Sequence, residues 1–453
     1  MLRVVLVAVL LSAATPEVGD SGVLERIRAV VAPAGGGRAP GCTVGVFRNG
    51  RVSETVSAGG ADIATGRTLN ADTQFYAASV SKQFTAMTVM QLVAAGKLRL
   101  DDDIRTYLPE LPDYGTKITP VMLLNHTAGI RDSLALLTIA GRSDMSSATY
   151  DEALALVLKQ RRTNFTPGSR FDYSNGGYLL LAEIVSRVAK QPFYAYANAN
   201  VLKPLGMTRS FILSGARTTD ANVAHGYRME NGRPLPADDY PLFGGSGGLI
   251  TTVNDLGRWD HDIDTDHKVW TPTIMRLMTT AGKFANGNPV VMARFGVPYG
   301  AALMIGPSWF QHSGSATGFK TLYARLPKRR MGLALLCNNG DVEPLKVGDA
   351  VIAALGEDLP PISERSVLST ATDGRYRTAE IDAVYVLAAK GDTLQVTVLP
   401  EASGSGPRRV VSLQRDEEIG GYRSAGLTIV LDDDAGGFTL ETSRVSLHFD
   451  RVS

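Results

Sequence analysis

The 453-residue sequence predicts an α+β fold: an antiparallel sheet flanked by helices, a mostly helical subdomain, and then a small antiparallel β-barrel. Three observations predict it. Apolar strand-like runs stand early, at 42–47 and 52–56, and return late, at 308–312, 321–326 and 331–337. Between them, 101–241 reads mostly as helices with long loops, so the early and late strands are expected to pair in one sheet and the helical middle to form the other wall of a cleft. Beyond a Pro/Ser/Thr-rich stretch, apolar residues alternate again: Leu394, Val396 and Val398; Leu427, Ile429 and Leu431; Val445, Leu447 and Phe449.

The elements follow in order. Arg3, an apolar run at 4–11 and Ser12-Ala13-Ala14 read as a short signal peptide over 1–14, hence a periplasmic or secreted protein. A helix is expected at 23–31, and a hairpin at Asn49-Gly50, a turn signal between two strands. A short strand at 73–76 gives way to a helix in which Phe84, Met87 and Met90 recur at helical spacing, a core stripe. Another helix is expected at 178–188. The units are then 22–357 as the first domain, 358–372 as a linker opened by Pro360-Pro361, and 373–453 as a barrel of about eight strands. With 44% hydrophobic residues, 20% charged and net charge +1, the chain is an ordinary globular one. Its balanced charge argues against nucleic acid as a partner. No apolar run approaches the ~18 residues that span a bilayer. Assembly into an oligomer stays open.

Ser79-Val80-Ser81-Lys82 carries the chemistry. Side chains three apart on a helix share a face, so the Lys82 amine is expected beside the Ser79 hydroxyl. A helix N-terminus adds free backbone N–H groups where an oxyanion would form. Tyr173-Ser174-Asn175 follows, and much later His312-Ser313-Gly314. This ordered trio resembles the serine β-lactamase and penicillin-binding-protein superfamily, in its class C branch, which also holds D-aminopeptidases, carboxypeptidases and esterases. The resemblance extends to Gly96-Lys97-Leu98, the stretch from Leu123 to Gly129, Thr166-Pro167-Gly168, Pro204-Leu205-Gly206-Met207 and the glycine-rich 244–249. The C-terminal strands resemble, more loosely, a lipocalin-like domain.

The resemblance implies a hydrolase without cofactor or metal, acting on a small molecule or peptide. Ser79 is the expected nucleophile and Lys82 or Tyr173 the base; the sequence does not choose between them. Tyr173 also protonates the leaving group. Asn175 orients Lys82 and binds substrate, and Gly314 lets the strand approach the substrate closely. The backbone N–H groups of Ser79 and Ser315 form the oxyanion hole. A protonated His312 is one way to stabilise a tyrosinate at Tyr173. Histidine is mostly neutral at pH 7, however, which weakens the case for penicillin hydrolysis and favours a peptide or amide with a D-residue, or a small ester. The resemblance makes the strands of Cys42 and Cys337 neighbours. A disulfide is then conceivable, but two buried free thiols is the favoured reading.

Other readings are weaker. Gly244-Gly245-Ser246-Gly247-Gly248 with Asp262 and His312 mimics an α/β-hydrolase elbow, but Pro236 to Pro241 precede it instead of an apolar strand. Asp262, Asp264 and Asp266 mimic a calcium loop whose glycine is replaced by His267; a solvated acidic surface is expected there. A non-enzymatic alternative is a slow penicillin-binding sensor that acylates without turnover.

Overall fold

The computed structural model describes residues 21–356, apart from 34, 219 and 293–295, and eight strands between 374 and 452. The expected signal segment at 1–14 and the linker at 358–372 lie outside the described residues.

Early and late strands do pair. β1 (Cys42–Arg48), β2 (Arg51–Ala58), β3 (Met304–Ile305), β4 (Phe310–Ala316), β5 (Phe319–Leu326) and β6 (Met331–Cys337) form one six-stranded sheet, in the order β3-β4-β5-β6-β1-β2. Asn49 and Gly50 turn the first hairpin with φ of 51° and 73°, left-handed backbone that Asn and Gly tolerate best. β6 is buried along its whole length because helices cover both faces. Leu333 and Leu335 meet Ile27 and Val31 of α1 (Ser21–Val31) and Val351 and Ile352 of a late helix, Pro344–Ala354. Ala334 and Leu336, one residue out of phase, join the larger core with Phe84 of α2 (Ser81–Ala94), Leu180 of α3 (Asn175–Ala189), and Leu256 and Trp259 of α4 (Val253–Asp264).

Two expectations are corrected here. Cys42 lies directly opposite Cys337 in the antiparallel β1–β6 pairing, with the Cα atoms 4.0 Å apart, and the two are disulfide-bonded rather than free. The acidic segment is a solvated surface only in part: Asp266 is exposed, but Asp260 and Asp262 are 0% and 1% exposed. α4 lies so close on the sheet that a Cβ at Gly332 would stand 1.9 Å from Asp260 Oδ1. In that contact the buried guanidinium of Arg325, from β5, pairs with Asp260 and Asp264. Asp262 accepts the backbone N–H groups of Lys268, Val269 and Trp270 at 2.8–2.9 Å. Among the described residues, no group of three or more His, Cys, Asp or Glu is placed to hold a metal ion.

The stretch 101–241 is less helical than expected, with strands at Phe211–Ile212, Tyr227–Glu230 and Arg233–Pro236. The first of these joins a small three-stranded sheet in which it and Phe75–Tyr76, the expected short strand, flank Leu249–Thr251. The C-terminal strands close into an eight-stranded antiparallel barrel. Leu394, Val396, Ile429 and Phe449 point into its core with Tyr376 and Phe438, as the alternation requires. No described helix is long and apolar enough to cross a membrane.

Candidate active site

Ser79 is delivered by the Phe75–Tyr76 strand, which pairs with Leu249–Thr251. It sits in a single 3-10 turn, Ala78–Val80, one step ahead of α2 rather than at its first residue. Ala78 has φ of 47°, a left-handed conformation that costs energy for a residue with a Cβ. Contacts on both sides enforce it. The Ala77 N–H donates to Leu249 O at 2.8 Å, and Thr321 Oγ1 donates to Ala77 O at 2.7 Å. Gly314 of β4 presses on the same turn: a Cβ there would lie 2.5 Å from Ala77 O and 3.0 Å from Ser79 N. The glycine thus lets β4 close on the turn that carries Ser79.

Lys82 is fully buried. Its Nζ lies 3.2 Å from Ser79 Oγ, 2.8 Å from Asn175 Oδ1 and 2.8 Å from the Ser246 carbonyl. Burial pushes the Lys82 amine down to about 7, against the pull of the Asp132 carboxylate, which favours the ammonium. The glycine-rich segment is a backbone platform for this amine. Thr85 Oγ1 donates to Gly245 O at 2.6 Å, and the Leu249 N–H donates to Ser81 Oγ at 3.1 Å. A strand follows this segment instead of preceding it, so the hydrolase-elbow reading of Ser246 fails.

Tyr173 and Asn175 flank the start of α3, which Ser174 caps by accepting the Gly177 N–H at 3.2 Å. The backbone N–H and Nδ2 of Asn175 both donate to Asp132 Oδ2, at 2.7 and 2.8 Å, which turns the amide oxygen toward Lys82. Asp132 is a site residue the sequence reading missed. Its only local signal is that of a helix cap, which it also is: Oδ1 accepts Leu134 N and Ala135 N at 2.9 Å. The Tyr173 hydroxyl is buried without a hydrogen-bond partner among the described residues. Burial pushes this phenol well above its ordinary range, and the neighbouring Ser79 hydroxyl opposes that only in part.

His312 stands behind Tyr173, with ring centroids 6.2 Å apart. Its Nδ1 lies 2.6 Å from Ser313 O and its Nε2 3.0 Å from Tyr299 Oη. Burial pushes the imidazole down to about 3, and the Lys82 charge adds to the shift. His312 is therefore neutral, and a tyrosinate held by its positive charge is not available. Ser315, exposed on β4, pairs in register with Lys320, whose Nζ donates to Ser315 Oγ at 2.6 Å. The fold thus brings Ser79, Lys82, Tyr173 and Asn175 to one point, with Gly314 touching the Ser79 turn and His312 in the wall behind.

The chain is similar to known proteins in sequence and fold. Residues 27–357 match the family described as Beta-lactamase. The D-aminopeptidase of Gluconobacter oxydans (strain 621H) is 25% identical over 370 residues, 80% of this chain and 68% of that protein. The D-aminopeptidase of Brucella anthropi is 29% identical over 228 residues, 50% of this chain, and the match spans only 43% of that protein's length. Among solved structures, the octameric penicillin-binding protein homologue from Pyrococcus abyssi superposes with a TM-score of 0.64 at 24% identity, covering 94% of this chain and 98% of its own. With the family match running over most of its length, the chain belongs to the beta-lactamase family of serine hydrolases.

Proposed function

We propose that this protein hydrolyses an amide bond beside a D-amino acid in a peptide, through an acyl-enzyme on Ser79. The observation that carries the reading is the environment of Lys82. A neutral amine has two N–H bonds and one lone pair. Asn175 Oδ1 and Ser246 O accept hydrogen bonds but cannot donate, so they take the two N–H bonds. The lone pair is left for the Ser79 hydroxyl at 3.2 Å. Tyr173 keeps its proton at neutral pH, so Lys82 is the first base. Ser79 Oγ attacks the carbonyl as its proton passes to Nζ, and the backbone N–H groups of Ser79 and Ser315 hold the oxyanion. The C–N bond breaks as the leaving nitrogen takes the Tyr173 proton, which Lys82 restores. Water then repeats these steps on the acyl-enzyme.

The D-amino-acid preference is supported by the two relatives named D-aminopeptidase and by the neutral histidine at 312. The Cys42–Cys337 bridge supports export, since such bonds persist in oxidising compartments. The test is a panel of D-Ala and L-Ala p-nitroanilides, a D-Ala-D-Ala peptide, a p-nitrophenyl ester and nitrocefin. Turnover of the D-anilide above its L-isomer is expected. Ester turnover alone would replace the reading with an esterase, and fast nitrocefin turnover with a β-lactamase.

The pH dependence follows from Lys82. The base works only when neutral, so kcat/KM rises with pH through about 7 and falls roughly tenfold per unit well below it. Asp132 favours the ammonium, so Asp132→Asn lowers the Lys82 pKa further. The acid limb of kcat/KM then moves to lower pH, which a profile from about pH 5 to 9 reads directly.

A further inference from the structure

We infer that Tyr299 is a positioning residue that bridges His126 and His312, whose tautomers two backbone groups fix, and through them holds Tyr173 in place. This rests on the reading of Ser79, Lys82 and Tyr173 as the catalytic group. Two backbone groups fix the two ends of this chain of hydrogen bonds. The Ser174 backbone N–H can only donate, and it meets His126 Nδ1 at 3.1 Å. His126 therefore carries its proton on Nε2, which faces Tyr299 Oη at 3.3 Å. At the other end the Ser313 carbonyl can only accept, so His312 carries its proton on Nδ1, 2.6 Å away. Its Nε2 is then an acceptor, 3.0 Å from Tyr299 Oη. A hydroxyl both accepts and donates, so Tyr299 closes the chain: it receives from His126 and gives to His312.

This chain ties the Tyr173–Asn175 segment to β4, the two walls of the site. Tyr299, His126 and His312 are 0%, 2% and 4% exposed, so no water competes for these bonds. His126 is held at φ 58° and lies against the Tyr173 ring, with centroids 4.2 Å apart. The ionisable groups facing the chain are Lys82, Tyr173 and Tyr178; Lys82 Nζ lies 4.8 and 5.5 Å from the two tyrosine ring centres. A proton on either imidazole would oppose Ser174 N–H at one end or the Tyr299 donor at the other, and would stand near the Lys82 charge. Both histidines therefore stay neutral, and neither competes for the proton that Ser79, Lys82 and Tyr173 exchange.

The experiment is imidazole ¹⁵N NMR on the full-length chain, with steady-state kinetics on the best panel substrate, for the wild type and Tyr299→Phe. Two of the six histidines are expected as non-titrating neutral rings from about pH 5 to 9, His126 as the Nε2–H and His312 as the Nδ1–H tautomer. In Tyr299→Phe, both tautomers persist, the Nε2 resonances of His126 and His312 shift as they lose their hydroxyl partner, and kcat falls about tenfold or more with KM nearly unchanged, as expected for a misplaced Tyr173. Unchanged Nε2 resonances or an unchanged kcat in the variant overturn the proposal. So does the opposite tautomer, or a charged ring at neutral pH, in the wild type, whether or not the variant folds. The tautomers are read without turnover, so they stand apart from the identity of the nucleophile, which Ser79→Ala tests.

Discussion

Replacing Ser79 with alanine is expected to abolish covalent labelling by a fluorophosphonate and to lower turnover by ~10⁴-fold or more. The reason is that nothing nearby substitutes for it: the Ser79 hydroxyl is the oxygen that Lys82 Nζ approaches at 3.2 Å. The fold should survive. The turn already carries alanine at 77 and 78, and Lys82 keeps its bonds to Asn175 and Ser246. Only one hydrogen bond to a half-buried hydroxyl is lost, a cost of about 1 kcal/mol. Labelling and circular dichroism on one preparation separate chemistry from folding. Labelling at the wild-type rate would move the nucleophile elsewhere, with Ser246 the first candidate to replace in turn.

What the sequence made legible divides along contact distance. The Ser79–Lys82 spacing was readable because three residues of helix fix which side chains meet. The sheet was readable from its strand runs, and β6 begins and ends where its apolar run does. Asp132 was not readable. It lies 43 positions before Asn175 in the chain, and its local pattern is fully explained as a helix cap. Tyr299 was invisible for the same reason, since its two histidine partners come from separate segments. The disulfide depended on register: a slip of one residue between β1 and β6 would put the two sulfurs on opposite faces, and composition carries no register. The acidic segment misled at Asp260 and Asp264 because the guanidinium that pairs with them, Arg325, comes from β5, far along the chain. His312 reads as mostly neutral from the ordinary range of histidine; that burial and the nearby Lys82 push it far below that range was not legible.

Lys82→Met should separate the two things this lysine does. Methionine is close in length and apolar, so it fills the buried space without the amine. Loss of the general base is expected to lower kcat/KM by about 10²–10⁴-fold. Retained turnover would instead make Tyr173 the first base, despite the burial that keeps its proton on. Stability is affected in two opposing ways. Asn175 Oδ1 and Ser246 O lose the donor that satisfies them, at roughly 1–3 kcal/mol for each buried acceptor left unpaired. Against this, the variant no longer buries an amine that resists charging. Folding lowers the Lys82 pKa from 10.5 to about 7, so between those values the unfolded chain binds the proton and the folded one does not. By linkage this makes wild-type stability rise with pH across that window, and methionine removes the rise. Urea denaturation at about pH 7 and pH 9.5 should therefore show the variant nearest to wild type at pH 7 and falling behind at the higher pH. Other titrating groups act alike in both proteins and cancel in the difference. An equal gap at both pH values would mean that Lys82 is charged in the folded protein throughout. The amine would then be unable to accept the Ser79 proton in the resting enzyme.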